Sequence, residues 1–121
     1  MNLGYHLIIG VAGELLVPES RGRFFLTSIA PDLTLLFNEL KIRFLRQPFS
    51  ADRVDAISFV AYHLVHSLWV TIMLFLISPL LGTAHLIHIV ADWFTHTGRF
   101  AAMPLYPIIR WRIPFGREIL K

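Results

Sequence analysis

Between His85 and His96 the chain reads HLIHIVADWFTH. A helix advances about 100° per residue, so His85, His88, Asp92 and His96 share one stripe, and Leu86, Ile87, Ile89, Val90, Trp93 and Phe94 cover the rest. A second stripe, in YHLVHSL, places His63, His66 and Ser67 on one face. His6 and Asp32 complete the set, so that all six histidines lie in or beside apolar sequence. Leaving such groups unpaired in an apolar setting costs on the order of 2–7 kcal/mol each. Ionisable groups in lipid-facing segments normally mark a site. Imidazole and carboxylate together are the ligand set of Zn²⁺, Mn²⁺ or non-haem iron. With no cysteine in the chain, disulfides, iron–sulfur clusters and thiolate zinc sites are excluded.

Taken singly, each residue has an ordinary structural reading. A lone histidine on an apolar face is commonly a hydrogen-bonded core residue, and Pro31-Asp32 alone is a plain helix start with an acid near the positive end of the dipole. Ser67 reads as a backbone-bonded helix serine rather than a nucleophile. Trp69, Trp93 and Trp111 read as packing or interfacial anchors. The joint pattern argues for a site: eight candidate ligands exceed the needs of one metal, which favours two or more ions bridged by an aspartate.

The elements that must position these residues are helical. A first helix is predicted from about Leu3 to Leu16, stopping before Pro18, followed by a short helix around Arg21 to Ser28. Ala30-Pro31-Asp32 restarts the chain, because proline fits a first helical turn and disfavours helical angles in the residue before it. The next helix runs to about Leu45. Gln47 to Ser50 is a linker, and Asp52 is a candidate N-cap for a long apolar helix, Ala56 to Ile77. Ser78, Pro79 and Gly82 interrupt, and Thr83 or Ala84 starts a shorter helix to about His96. From Gly98 onward, Pro104, Pro107 and Pro114 preclude a continuous helix. That tail reads as an amphipathic, aromatic and basic strip at headgroup level.

The 121 residues suffice for one domain, with no repeat or low-complexity run. Hydrophobic residues make up 55% and charged ones 16%, with a mean hydropathy of +0.61. A soluble domain is roughly one-quarter charged, so this composition points toward lipid. No Asp, Glu, Lys or Arg occurs from Ala56 through Ala91, and Ala56 to Ile77 has the length of a spanning helix. The expected fold is an all-α bundle with a membrane-embedded hairpin. A buried hairpin in a small soluble protein is the alternative.

The net charge of +3 and pI near 9.8 suit nucleic acid in principle. Yet the basic residues, from Arg21 and Arg23 through Lys41, Arg43, Arg46 and Arg53 to Arg99, Arg110, Arg112, Arg117 and Lys121, flank the apolar segments, and no nucleic-acid module is recognisable. The positive-inside rule puts both basic flanks in the cytoplasm and Pro79 toward the far side of the membrane. Met1 to Val17 lacks a basic n-region and carries Glu14, so it is taken as the first helix, not a cleaved leader.

The ordered series Tyr5-His6, IAPDL (Ile29 to Leu33), HLVHSL (His63 to Leu68), HIVADWFTHTG (His88 to Gly98), PLYP (Pro104 to Pro107) and RWRIP (Arg110 to Pro114) resembles the bacterial membrane-bound metal-dependent hydrolases over nearly the whole chain. The block from Asp92 to Pro107 is the most specific part. That family is more remotely similar to the zinc-dependent phospholipase C superfamily, an all-α fold in which helices supply His and Asp to zinc, including a His-x-x-x-Asp pair that His88 and Asp92 match. The resemblance implies that His6, Asp32, His66 (or His63), His88 and Asp92 are ligands, with an aspartate bridging two metals and His96 as an addition. Two positions depart from the family pattern: Thr34 stands where a second acid is common, and Leu64-Val65 where Arg-Gly is common.

The mechanism expected of such a set is phosphoester hydrolysis. Two divalent ions about 3.5–4 Å apart, zinc first and manganese or iron as alternatives, activate water and clamp a phosphoryl oxygen. Asp92 or Asp32 would orient the nucleophile and His63 protonate the leaving group. A membrane setting suggests a lipid phosphoester. Two other classes share some features: a b-type haem carrier, against which the aspartates count, and a non-enzymatic membrane protein whose stripes are helix glue or a proton path.

Overall fold

A computed structural model describes residues 3–45 and 54–113. The described residues are all-helical, with six α-helices: α1 (Leu3–Leu16), α2 (Arg23–Ile29), α3 (Leu33–Phe44), α4 (Ala56–Val65), α5 (Leu68–Ile77) and α6 (Pro79–Thr95). α1 packs on α2, α2 on α6 and α6 on α5, while α4 lies beside α3. The predicted linker at Gln47 to Ser50 and the predicted cap Asp52 fall outside the described residues. The N-cap of α4 is Asp55, whose Oδ1 accepts the Ser58 amide at 2.8 Å.

Three expectations are corrected. Ala56 to Ile77 is not one helix: it breaks at His66 and Ser67, and α4 and α5 are bent by 52°. Ser67 takes an extended conformation there, and the Leu68 amide, released from the helical ladder, donates to the Pro104 carbonyl at 2.8 Å. No single described helix is long and apolar enough to cross a membrane, although the bent pair meets that test jointly. Second, α6 begins at Pro79 and not at Thr83 or Ala84. Proline at the first helical position sacrifices no ladder bond, and Gly82 stays inside the helix because a side chain there would overlap the Phe75 ring of α5. Third, the described part of the tail is a surface strip only over residues 107–112, which are exposed; the rest is tucked in. The Ile113 amide donates to the Ala102 carbonyl at 3.0 Å, and Ala101, Ala102, Met103 and Tyr106 are buried.

The interior is unusual in composition. Leu35, Val54 and Tyr62 form a small apolar cluster with Phe59 and Phe100 against it. Most other fully buried large side chains are His6, His63, His66, His85, His88, Asp32 and Asp92. Apolar residues are displaced outward: Phe44 is 89% exposed, Leu16 and Ile57 82%, and Leu76 and Leu15 77%. Polar groups inside and many exposed apolar side chains invert the usual distribution.

Two contacts hold α1 against α2. A Cβ at Gly13 would overlap the buried Phe24 ring, so Gly13→Ala should destabilise the protein by about 1–3 kcal/mol through overpacking, measured as a lowered thermal midpoint. Beside it, the Glu14 carboxylate accepts from the Ser20 hydroxyl at 2.5 Å and from the Gly22 amide at 2.6 Å. It thereby caps the start of α2, where Gly22 (φ 83°) and Arg21 (φ 52°) take left-handed conformations and leave amides unpaired by the helix. These bonds hold the Glu14 carboxyl below its ordinary value of 4.5. A depressed folded-state value stabilises the native state above the unfolded value and ceases to do so as pH falls through the folded one. Glu14→Gln should therefore lower the melting temperature at pH 7, and the gap to wild type should shrink as pH falls below 4.5.

Candidate metal centre

The ligand candidates come from several elements. His6 lies on the first turns of α1, and Asp32 closes the short 3-10 turn Ala30–Asp32 at the start of α3. His66 sits at the α4–α5 break, and His88 and Asp92 occupy one stripe of α6, with His96 just beyond its end. Asp32 is at an N-cap position but makes no cap bond, which frees its carboxylate for the interior. His6, Asp32, His88 and Asp92 are all buried, and one ligand atom from each lies within 4.8 Å of the others. This buried His/Asp cluster could hold a metal ion.

Asp92 is its hub. Oδ1 lies 3.0 Å from His6 Nε2 and 2.9 Å from His96 Nδ1, and Oδ2 lies 3.1 Å from His66 Nε2 and 3.4 Å from His88 Nε2. Asp32 faces the same space, with Oδ2 3.7 Å from His6 Nε2 and Oδ1 3.7 Å from His66 Nε2. None of these approaches has hydrogen-bond alignment: both oxygens of Asp32 and of Asp92 are buried without a hydrogen-bond partner. Burial pushes the His6 imidazole toward neutrality, but the Asp92 and Asp32 carboxylates outweigh it and raise His6 above its ordinary 6.5. The centre therefore attracts positive charge.

Backbone carbonyls decide which nitrogens are available. His66 Nδ1 donates to the Tyr62 carbonyl at 2.7 Å, and His88 Nδ1 donates to the Ser28 carbonyl at 2.6 Å. With Nδ1 protonated, each neutral ring carries its lone pair on Nε2. Those two Nε2 atoms face one another at 3.1 Å, beside Asp92 Oδ2. Acceptors meeting at this distance repel unless a cation lies among them or one ring is itself a cation. Outer hydrogen bonds that fix a histidine tautomer and aim its free nitrogen are characteristic of metal ligands.

The remaining candidates are placed differently. His85 is satisfied at both nitrogens: Nε2 donates to the Val65 carbonyl at 2.9 Å and Nδ1 accepts from the Thr71 hydroxyl at 2.8 Å. It ties α6 to α4 and α5 and does not enter the cluster. His63 also stays apart, with Nε2 donating to the Arg99 carbonyl at 3.2 Å and its ring centroid 5.6 Å from that of Tyr106. Ser67 is buried and its hydroxyl has no partner, contrary to the backbone bond expected for it. The Ser28 and Tyr62 carbonyls that aim His88 and His66 were not anticipated, and as backbone groups they leave no signal in residue type. In comparisons with known proteins, no family model, no curated protein and no solved structure matches the chain.

Proposed function

We propose that the protein is a membrane-associated metal-dependent hydrolase that acts on a phosphoester through a His/Asp-bound site for two or more divalent ions. The observation that carries this reading is the convergence of the His66 and His88 Nε2 atoms, their tautomers set by backbone carbonyls, beside two buried carboxylates without hydrogen-bond partners. Asp92 presents one oxygen to His6 and His96 and the other to His66 and His88, the division expected of a bridging carboxylate. His and carboxylate donors without thiolate suit zinc, with manganese or iron also compatible. The resemblance to the membrane-bound metal-dependent hydrolases supports the same reading through the ligand types it implies.

Divalent ions held there supply Lewis-acid activation of water and of a phosphoryl oxygen. Asp32, whose carboxylate makes no cap bond, would orient the attacking water and take its proton, a role that Asp92 would share. His63, outside the ligand cluster, donates its Nε2 proton to the Arg99 carbonyl, so the neutral ring carries a lone pair on Nδ1; protonating the leaving group, the role expected of it, would require a second proton on this buried imidazole. Exposed Phe44, Leu16, Ile57 and Leu76 favour a seat in a membrane, with the basic flanks toward the cytoplasm. The test is metal analysis of detergent-purified protein, followed by assay against a panel of phosphate mono- and diesters. Stoichiometric or higher zinc, manganese or iron with turnover of a phosphoester is expected; protein that stays metal-free after reconstitution would refute the reading.

A further inference from the structure

A second feature lies on the far side of His63. Between the N-terminal half of α4 and the returning tail is a cavity of about 430 Å³. Its lining combines three basic side chains, Arg99, Arg110 and Arg112, with apolar Phe59, Val60 and Met103. Arg99 is held in place: Nη2 donates to the Val54 carbonyl at 3.3 Å and its guanidinium carbon lies 4.9 Å above the Phe59 ring. Arg110 and Arg112 are exposed, and among the described residues no carboxylate lies within ion-pair distance of either. Tyr106 lines the cavity and also meets the His63 ring, so the cavity lies one side chain away from His63. Outward, the apolar wall continues along α4 through Val60 (46% exposed) to Ile57 (82%).

We infer that this cavity binds a phosphate-bearing amphiphile, with the phosphate against Arg99, Arg110 and Arg112 and the apolar portion along Phe59, Val60 and Met103. Guanidinium forks match phosphate oxygens in pairs, and three positive groups suit an anion with several oxygens better than a single carboxylate. Apolar lining beside them, continued by exposed Val60 and Ile57 on α4, suits a ligand with a hydrocarbon part over a free ion. The cavity shares no lining residue with the ligand cluster, so the inference goes beyond the hydrolase reading and does not rest on it.

The test uses the full chain in uncharged detergent, titrated calorimetrically with dihexanoyl phosphatidic acid, inorganic phosphate and dihexanoylglycerol, with and without chelator. Phosphatidic acid should bind saturably, tighter than inorganic phosphate by at least about tenfold, and dihexanoylglycerol should not bind. The double variant Arg110→Gln/Arg112→Gln, altered only at exposed positions, should weaken that binding by at least about tenfold, while Arg43→Gln on α3 should leave it unchanged. Equal affinity for inorganic phosphate, or unchanged affinity in the double variant, would overturn the assignment. Binding abolished by chelator and by His88→Ala would place the phosphate on the metal centre and also overturn it, leaving the hydrolase reading intact. Binding that persists in protein unable to take up metal would uphold the cavity and sink the hydrolase reading instead.

Discussion

Replacing Asp92 with alanine is expected to strip the protein of its divalent metal, with His88→Ala close behind. Asp92 meets four imidazoles, two at each oxygen, so its loss removes the group that joins the two halves of the centre. His88 loses an Nε2 that faces His66 at 3.1 Å. Even a residue that only orients a ligand costs about 10–100-fold in metal affinity, so loss of a ligand should cost on the order of 100-fold or more. Plasma mass spectrometry of wild type beside both variants reads this directly, with circular dichroism showing that the helices persist. His85→Gln provides the contrast: its nitrogens are satisfied by Val65 and Thr71, so its metal content should equal that of wild type. Unchanged metal in Asp92→Ala would refute the centre.

Chelation should lower thermal stability by a comparable margin. With the metal absent, the carboxylates of Asp32 and Asp92 stay buried without hydrogen bonds, offset only by protons on imidazoles such as His6, whose proton affinity they raise. A ligand that binds only the native state stabilises it by mass action, by about 2.7 kcal/mol at 100 times its dissociation constant. For a domain of this size that corresponds to a fall in melting temperature of about 10 °C on removal, restored by adding back zinc or manganese. His88→Ala and Asp92→Ala should melt at one temperature with or without chelator. A chelator-insensitive wild type that nevertheless carries metal would show the ion bound elsewhere.

The helix periodicity was legible in composition and spacing: α1 has the bounds read from the sequence, and the stripe of His88, Asp92 and His96 points inward as a 3.6-residue period requires. Asp32 was legible as a helix start because proline precedes it. What spacing cannot show is the direction in which a satisfied group points. His85 and His88 lie three residues apart on one stripe, yet one meets a threonine and a carbonyl and the other meets the cluster, because Thr71 on α5 and Ser28 on α2 come from segments distant in sequence.

The apolar run from Ala56 to Ile77 shows the same division. Its lack of charge is a property of the chain alone, but the break at His66 depends on Pro104, whose carbonyl takes the Leu68 amide, and no local rule places a tail residue there. Residue type and periodicity by themselves determined the helical class, the polar stripes and the ligand chemistry, since these follow from side-chain identity and the geometry of one helix. Tertiary structure alone decided which imidazoles converge, which nitrogen each offers and that three arginines close on α4, because those outcomes rest on hydrogen bonds between segments that meet only when the chain is folded.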